Sequence, residues 1–108
     1  MKALGISERE GLARFQSSQS YYTIAGRELE REIIPAVQDQ GDGVLVWSPL
    51  AGGLLSGKFR RDSESPEDAR RSSFDFPPVD KEKVYRSVEA MDKIAASHGV
   101  SVAEIALA

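Results

Sequence analysis

The run Gly43-Val44-Leu45-Val46-Trp47-Ser48-Pro49-Leu50-Ala51-Gly52-Gly53-Leu54-Leu55-Ser56-Gly57-Lys58 does most to limit what this chain can become. Val44 to Trp47 are four apolar residues without a break, three of them β-branched or aromatic. That is the pattern of a strand covered on both faces, as in a parallel sheet. Ser48-Pro49 ends it, because proline has no N–H for the ladder. Gly52 and Gly53, then Gly57, permit positive φ and close backbone approach. N–H groups freed in such a turn can face an anion, and Lys58 can add a positive charge. The same residues also make a plain strand end followed by a solvated lysine, and spacing alone does not separate the two.

A strand of this kind needs a partner. Arg14 to Tyr22 supplies a candidate, with Phe15, Ser17 and Gln19 on one face and Gln16, Ser18 and Ser20 on the other. It is polar for a core strand, so it is read either as an exposed edge or as a strand whose polar groups meet a ligand. Between the two strands, residues 23–40 have a helical pattern, with Leu29, Ile33, Ala36, Val37 and Gln40 near one stripe. Pro35 falls inside it and predicts a kink, or a new helix whose first turn holds the proline. Gly41 ends the segment. Strand, helix and strand at this spacing predict a right-handed parallel βαβ unit.

After Lys58, residues 59–79 form a long polar stretch with Arg70-Arg71 and the aromatic pair Phe74 and Phe76. Loops of that length are functional or unstructured. Arg70-Arg71 can hold a phosphate or pair with Glu67 and Asp68, and the two phenylalanines are expected to anchor the loop. Asp80 to Ser97 is the clearest helix: Asp80 caps it, and Val84, Val88, Met91 and Ala95, with Ile94 offset, form its buried stripe. His98-Gly99 closes it, His98 acting as a cap or a surface residue. Ser101 with Glu104 forms a capping box for a last helix. At the other end, Lys2-Ala3-Leu4 reads as a helix end closed by Gly5, and Ser7 with Glu10 as a cap for one turn. Both ends are expected to belong to something longer.

The chain has 108 residues, room for one small domain. With 14 basic and 17 acidic residues, it has no electrostatic footprint for nucleic acid or an anionic membrane. No cysteine and one histidine argue against thiol chemistry and a multi-His metal site. Apolar runs are too short for a membrane-spanning helix, and no signal segment opens the chain. A soluble, cytoplasmic setting is the expectation.

From about Phe15 onward the chain resembles the aldo-keto reductases, in the branch of bacterial general aldo-keto reductases and potassium-channel β subunits. Four pieces carry the likeness in order. They are Gln19-Ser20-Tyr21-Tyr22 with Arg27-Glu28-Leu29-Glu30; Ile33-Ile34-Pro35; Trp47 through Lys58; and His98-Gly99-Val100-Ser101 through Ile105-Ala106-Leu107-Ala108. The resemblance implies an α/β fold: part of a (β/α)8 TIM barrel, here strands six and seven, their helices and the long loop, with residues 1–108 as a partial domain. It implies NADP(H) as cofactor and a small carbonyl compound as the substrate of the whole protein. Gln19 would hydrogen-bond the nicotinamide carboxamide, and Trp47 would stack on the nicotinamide ring. Ser48, Pro49, Leu50, Ala51 and Gly52 would follow the ribose and pyrophosphate, with Lys58 near that charge. Arg70 would meet the adenosine 2′-phosphate by its bidentate geometry, with Arg71 as the alternative.

The family's catalytic Asp, Tyr, Lys and His match no residue of this chain. Tyr21, Tyr22, Lys58 and His98 stand outside that motif, so no complete acid–base set is expected. Three uses remain: a piece of a reductase inactive alone, a subdomain that self-associates through open sheet edges, or a weak dinucleotide binder.

Overall fold

Two parallel strands form one part of the structure, and a glycine-rich turn packed on two helices forms the other. The computed structural model describes residues 1–62, 76 and 78–108. Arg70, Arg71 and Phe74, assigned roles above, lie outside them. The elements in order are α1 (Lys2–Arg9), β1 (Ser17–Tyr21), a 3-10 turn (Glu28–Arg31), α2 (Ile33–Gln40), β2 (Gly43–Trp47), a second 3-10 segment (Ala51–Ser56), α3 (Lys81–His98) and α4 (Val102–Leu107). Strands β1 and β2 pair in parallel, Gln19 opposite Leu45 and Tyr21 opposite Trp47.

The crossover differs from one kinked helix. Thr23 and Gly26 form an antiparallel bridge, the 3-10 turn follows, and only Ile33–Gln40 is α-helical. Pro35 is the third residue of α2, where its missing N–H costs no intrahelical bond. This is the second of the two arrangements expected for it. Helix α1 corrects the reading of the amino-terminal segment. It runs through Gly5, whose N–H donates to the Met1 carbonyl at 3.1 Å. Ser7 is no cap but a buried residue inside the helix. One glycine costs a helix only about 1 kcal/mol against alanine, too little to end it.

The core is not at the sheet. Ala51, Leu54 and Leu55 of the glycine-rich turn pack with Phe59, with Val84, Val88, Met91 and Ala95 of α3, and with Val102 of α4. The α3 stripe is the one its spacing predicts, except that Ile94 is 46% exposed on the flank. Local signals set the ends of this unit. Asp80 accepts from the Lys83 N–H at 3.2 Å. The His98 ring lies 3.0 Å from the Ile94 carbonyl, and Ser101 and Glu104 form the capping box in full.

Strand β2 departs from expectation. Leu45 is 58% and Val46 43% exposed, so the strand is not covered on both faces. In a closed barrel each strand has neighbours on both edges and helices outside. Two strands cannot provide that cover for each other. The molecule is correspondingly drawn out, with extents of 56 × 33 × 20 Å and a radius of gyration of 17.5 Å. A compact chain of this length has about 13 Å.

The start of the long polar stretch is pinned to the core. Phe59 is buried, and Arg60 donates to the Gly57 carbonyl at 2.9 Å and to both carboxylate oxygens of Asp92. Arg61 pairs with Glu82 at 2.8 Å and lies over the Tyr85 ring. Hydrogen bonding from Arg60 holds the Asp92 carboxyl below its ordinary value. A depressed pKa stabilises the folded state at neutral pH, and that contribution is lost as pH falls through the folded value. The two side chains are 42% and 40% exposed. Asp92→Asn is therefore expected to lower stability at pH 7 by no more than about 1 kcal/mol. The difference from the wild type should shrink below pH 4, as urea unfolding at several pH values will measure.

Candidate functional site

The carboxyl ends of the two strands bring an aromatic group together. Because Tyr21 is opposite Trp47 in the register, their side chains leave the same face. The ring centroids are 5.1 Å apart and tilted by 48°. Phe76, from late in the long polar stretch, lies nearly parallel to the indole, centroids 6.1 Å apart and planes at 4°. Gln19, two residues before Tyr21, shares that face and is exposed. Gln19, Tyr21 and Trp47 line a cleft of about 480 Å³ with Glu28, Arg31 and Ile33 of the crossover.

The Tyr21 hydroxyl is buried and has no hydrogen-bond partner among the described residues. Gly26 backs onto its ring: a Cβ there would stand 3.0 Å from Tyr21 Cε1. A buried unpaired hydroxyl costs about 1–3 kcal/mol, so a polar atom reaching it would be favoured. Sequence reading assigned Tyr21 no role, although alternation from Gln19 already places it on the site face. The polar character of β1 has a simpler source in part. Ser18 and Ser20, on the opposite face, hydrogen-bond each other at 3.1 Å.

The turn after β2 is strained. Ser48 and Ala51 have φ of 49° and 52°, a region costly for residues other than glycine. Part of its donors are used within the turn. The N–H groups of Ala51, Gly53 and Leu55 bond the carbonyls of Ser48 at 2.9 Å and Leu50 at 3.0 and 3.1 Å. Ser48, Pro49, Leu50 and Gly52 are half-buried, and Ala51 is fully buried. Gly57, at φ 84°, is required by packing as well, since a Cβ would stand 3.1 Å from the Val102 Cβ. The motif therefore has two parts. Ser48 to Gly53 continues from the strand end, and Leu54 to Gly57 belongs to the core. Lys58 is exposed and has no carboxylate partner among the described residues.

Beside the site, Tyr22 donates to Glu30 Oε1, which also accepts from Arg27 Nε at 2.7 Å. The bond to Glu30 raises the Tyr22 phenol above its ordinary value, and the bonds from Tyr22 and then Arg27 lower Glu30. Tyr22 thus ties the end of β1 to the 3-10 turn.

Two parallel strands joined through a crossover are the repeating unit of a (β/α)8 barrel, and the chain has one such unit among its described residues. A sequence profile of the aldo/keto reductase family matches residues 1–108. The chain belongs to that family. It is 32% identical over 108 residues to an uncharacterized oxidoreductase of Bacillus subtilis, covering all of this chain and 31% of that protein. It is 30% identical over 112 residues to a probable voltage-gated potassium channel subunit beta of Arabidopsis thaliana, covering 99% of this chain and 34% of that protein. Among solved structures it superposes on a glycerol dehydrogenase of Gluconobacter oxydans with a TM-score of 0.66 and 28% identity, over 90% of this chain and 30% of the other. The chain thus spans about a third of the length of these relatives. Both the family and the partial barrel fold expected from the sequence hold.

Proposed function

We propose that this chain carries the cofactor side of an NADP(H)-dependent aldo-keto reductase, an oxidoreductase that interconverts carbonyl compounds and alcohols. One observation carries the proposal: an aromatic ring lies parallel on Trp47 at the carboxyl end of β2, on the face that Gln19 shares. A flat ring therefore fits against this indole. The bound cofactor would supply a hydride.

The chain's own residues would bind and orient. Trp47 offers an apolar plane and shields one ring face from water. Gln19 offers a donor and an acceptor suited to a carboxamide. Ser48, Pro49, Leu50, Ala51 and Gly52 continue from the strand end toward the ribose and pyrophosphate, with Lys58 adding charge. Arg70 is assigned to the adenosine 2′-phosphate, with Arg71 as the alternative. The cofactor choice of NADP(H) and a cytoplasmic setting belong to the same proposal. Among the described residues no helix is long and apolar enough to cross a membrane.

No residue of this chain is assigned to transfer the substrate proton, because none matches the family's Asp, Tyr, Lys and His. Tyr22 is tied to Glu30, and His98 lies against the Ile94 carbonyl at the end of α3. We therefore expect no turnover from the 108 residues alone. The test is NADPH-dependent reduction of a panel of small aldehydes, with this chain alone and joined to a family segment that supplies the Asp, Tyr, Lys and His. Activity only in the joined protein supports the proposal. Turnover by the chain alone, or none in either, counts against it.

A second use is favoured by the exposed Leu45 and Val46. Among the described residues no further strand pairs with either edge of the two-stranded sheet, and such edges invite pairing between copies. Size-exclusion chromatography with light scattering decides it, since a strict monomer at micromolar concentration excludes self-association.

A further inference from the structure

Gly26, in the turn after β1, has a fixed backbone. Its N–H donates to the Thr23 carbonyl at 3.1 Å and to Thr23 Oγ1 at 2.9 Å, and its carbonyl accepts from the Thr23 N–H at 3.2 Å. Thr23 is itself buried. The turn does not demand glycine for its backbone angles, since Gly26 is not among the glycines of positive φ. A neighbour excludes the side chain instead. A Cβ at this position would stand 3.0 Å from Tyr21 Cε1, whereas Thr23 Oγ1 at 3.4 Å and Glu28 Oε2 at 3.6 Å would be ordinary contacts. Carbon atoms pack best at about 3.5–4.0 Å, so the ring is the group that would have to give.

Tyr21 in turn touches Trp47. The two are opposite in the ladder, with ring centroids 5.1 Å apart and planes tilted by 48°. The Tyr21 hydroxyl has no hydrogen-bond partner among the described residues, so no bond of its own fixes the ring. We propose that Gly26 is a positioning residue for Trp47: the space of its missing side chain seats the Tyr21 ring, and that ring sets the tilt of the indole. The consequence for binding rests on the cofactor reading; the contact itself does not. Strand pairing fixes the Tyr21 backbone and the bonds to Thr23 fix Gly26. A methyl group added at 26 is therefore relieved by turning the tyrosine ring, which then presses on the indole or leaves its side. An aromatic contact of altered geometry corresponds to about 2- to 10-fold in binding.

Trp47 is the single tryptophan of the chain, so its emission reports the contact directly. The experiment compares the whole chain with Gly26→Ala, Tyr21→Phe, Tyr21→Ala and the double variant Gly26→Ala/Tyr21→Ala. Without ligand, Gly26→Ala and Tyr21→Ala should each change the acrylamide quenching constant of Trp47, and Tyr21→Phe, which keeps the ring, should not. In a titration with NADPH the same two variants should bind about 2- to 10-fold more weakly than the wild type. In the double variant, Gly26→Ala should add nothing to Tyr21→Ala, because the ring it displaces is gone. Additive effects, or a Gly26→Ala variant that quenches and binds as the wild type does, overturn the positioning role and leave the cofactor reading intact. Should circular dichroism show Gly26→Ala unfolded, the tyrosine variants decide: equal quenching in Tyr21→Phe and Tyr21→Ala overturns the role. Absence of NADPH binding by the wild type overturns the cofactor reading, and the quenching constants then still decide whether Gly26 and Tyr21 seat the indole.

Discussion

Leu55→Ala is expected to destabilise the chain by about 2–5 kcal/mol, and Leu45→Ala to change stability by no more than about 0.5 kcal/mol. Both are leucines of the same glycine-bounded run, ten residues apart. Their environments are opposite: Leu55 is completely buried, while Leu45 is 58% exposed. Leu55 packs in the cluster with Met91, Val84 and Val88, the other large, fully buried side chains of the unit formed by the turn, α3 and α4. Truncation there leaves a cavity lined by residues that cannot all relax. A small domain has a total stability of only about 5–15 kcal/mol, so the loss is a large fraction of it. Urea unfolding followed by circular dichroism measures both variants. Equal effects would mean that β2 is covered in solution and that the exposed sheet described above is wrong.

The second large effect concerns binding. Trp47→Ala is expected to weaken NADPH binding by about 1–3 kcal/mol, the range for a flat base on an aromatic platform, or roughly 5- to 150-fold. Trp47→Phe should keep most of the affinity, because it keeps a plane. Trp47 is half-buried and lies outside the core cluster, so the circular dichroism of either variant should match the wild type. NADPH's own emission serves as the readout, since the variants lack tryptophan. An unchanged dissociation constant in Trp47→Ala would remove Trp47 from the site.

Much of this was legible in the sequence, for identifiable reasons. Helices α3 and α4 were read correctly because their signals are local: Asp80, Ser101 and Glu104 cap within one turn, and the α3 stripe repeats at helical spacing. The parallel pair followed from two strand patterns separated by a crossover. Burial was misread at Leu45 and Val46 because burial depends on distant neighbours. An apolar strand keeps its pattern whatever stands beside it, and among the described residues β2 has one neighbouring strand. The glycines of the turn also hid what Ala51, Leu54 and Leu55 do, which is to form the core with α3. Gly5 and Ser7 misled for the opposite reason: local stop and cap signals lost to the surrounding helix. In the site, Gln19 and Trp47 were named from the resemblance, and the register sets them on one face. Tyr21 and its unpaired hydroxyl were not named, since a missing partner is a property of three-dimensional packing. Arg70 lies outside the described residues, so its role still rests on the resemblance.

The most direct measurement is titration of the whole chain with NADPH while the Trp47 emission is followed. Quenching that saturates by millimolar NADPH, and that weakens several-fold in Gln19→Ala, is the result expected of a cofactor ring on Trp47 with Gln19 beside it. Emission that does not respond to millimolar NADPH would contradict the assignment of this strand end as a cofactor site.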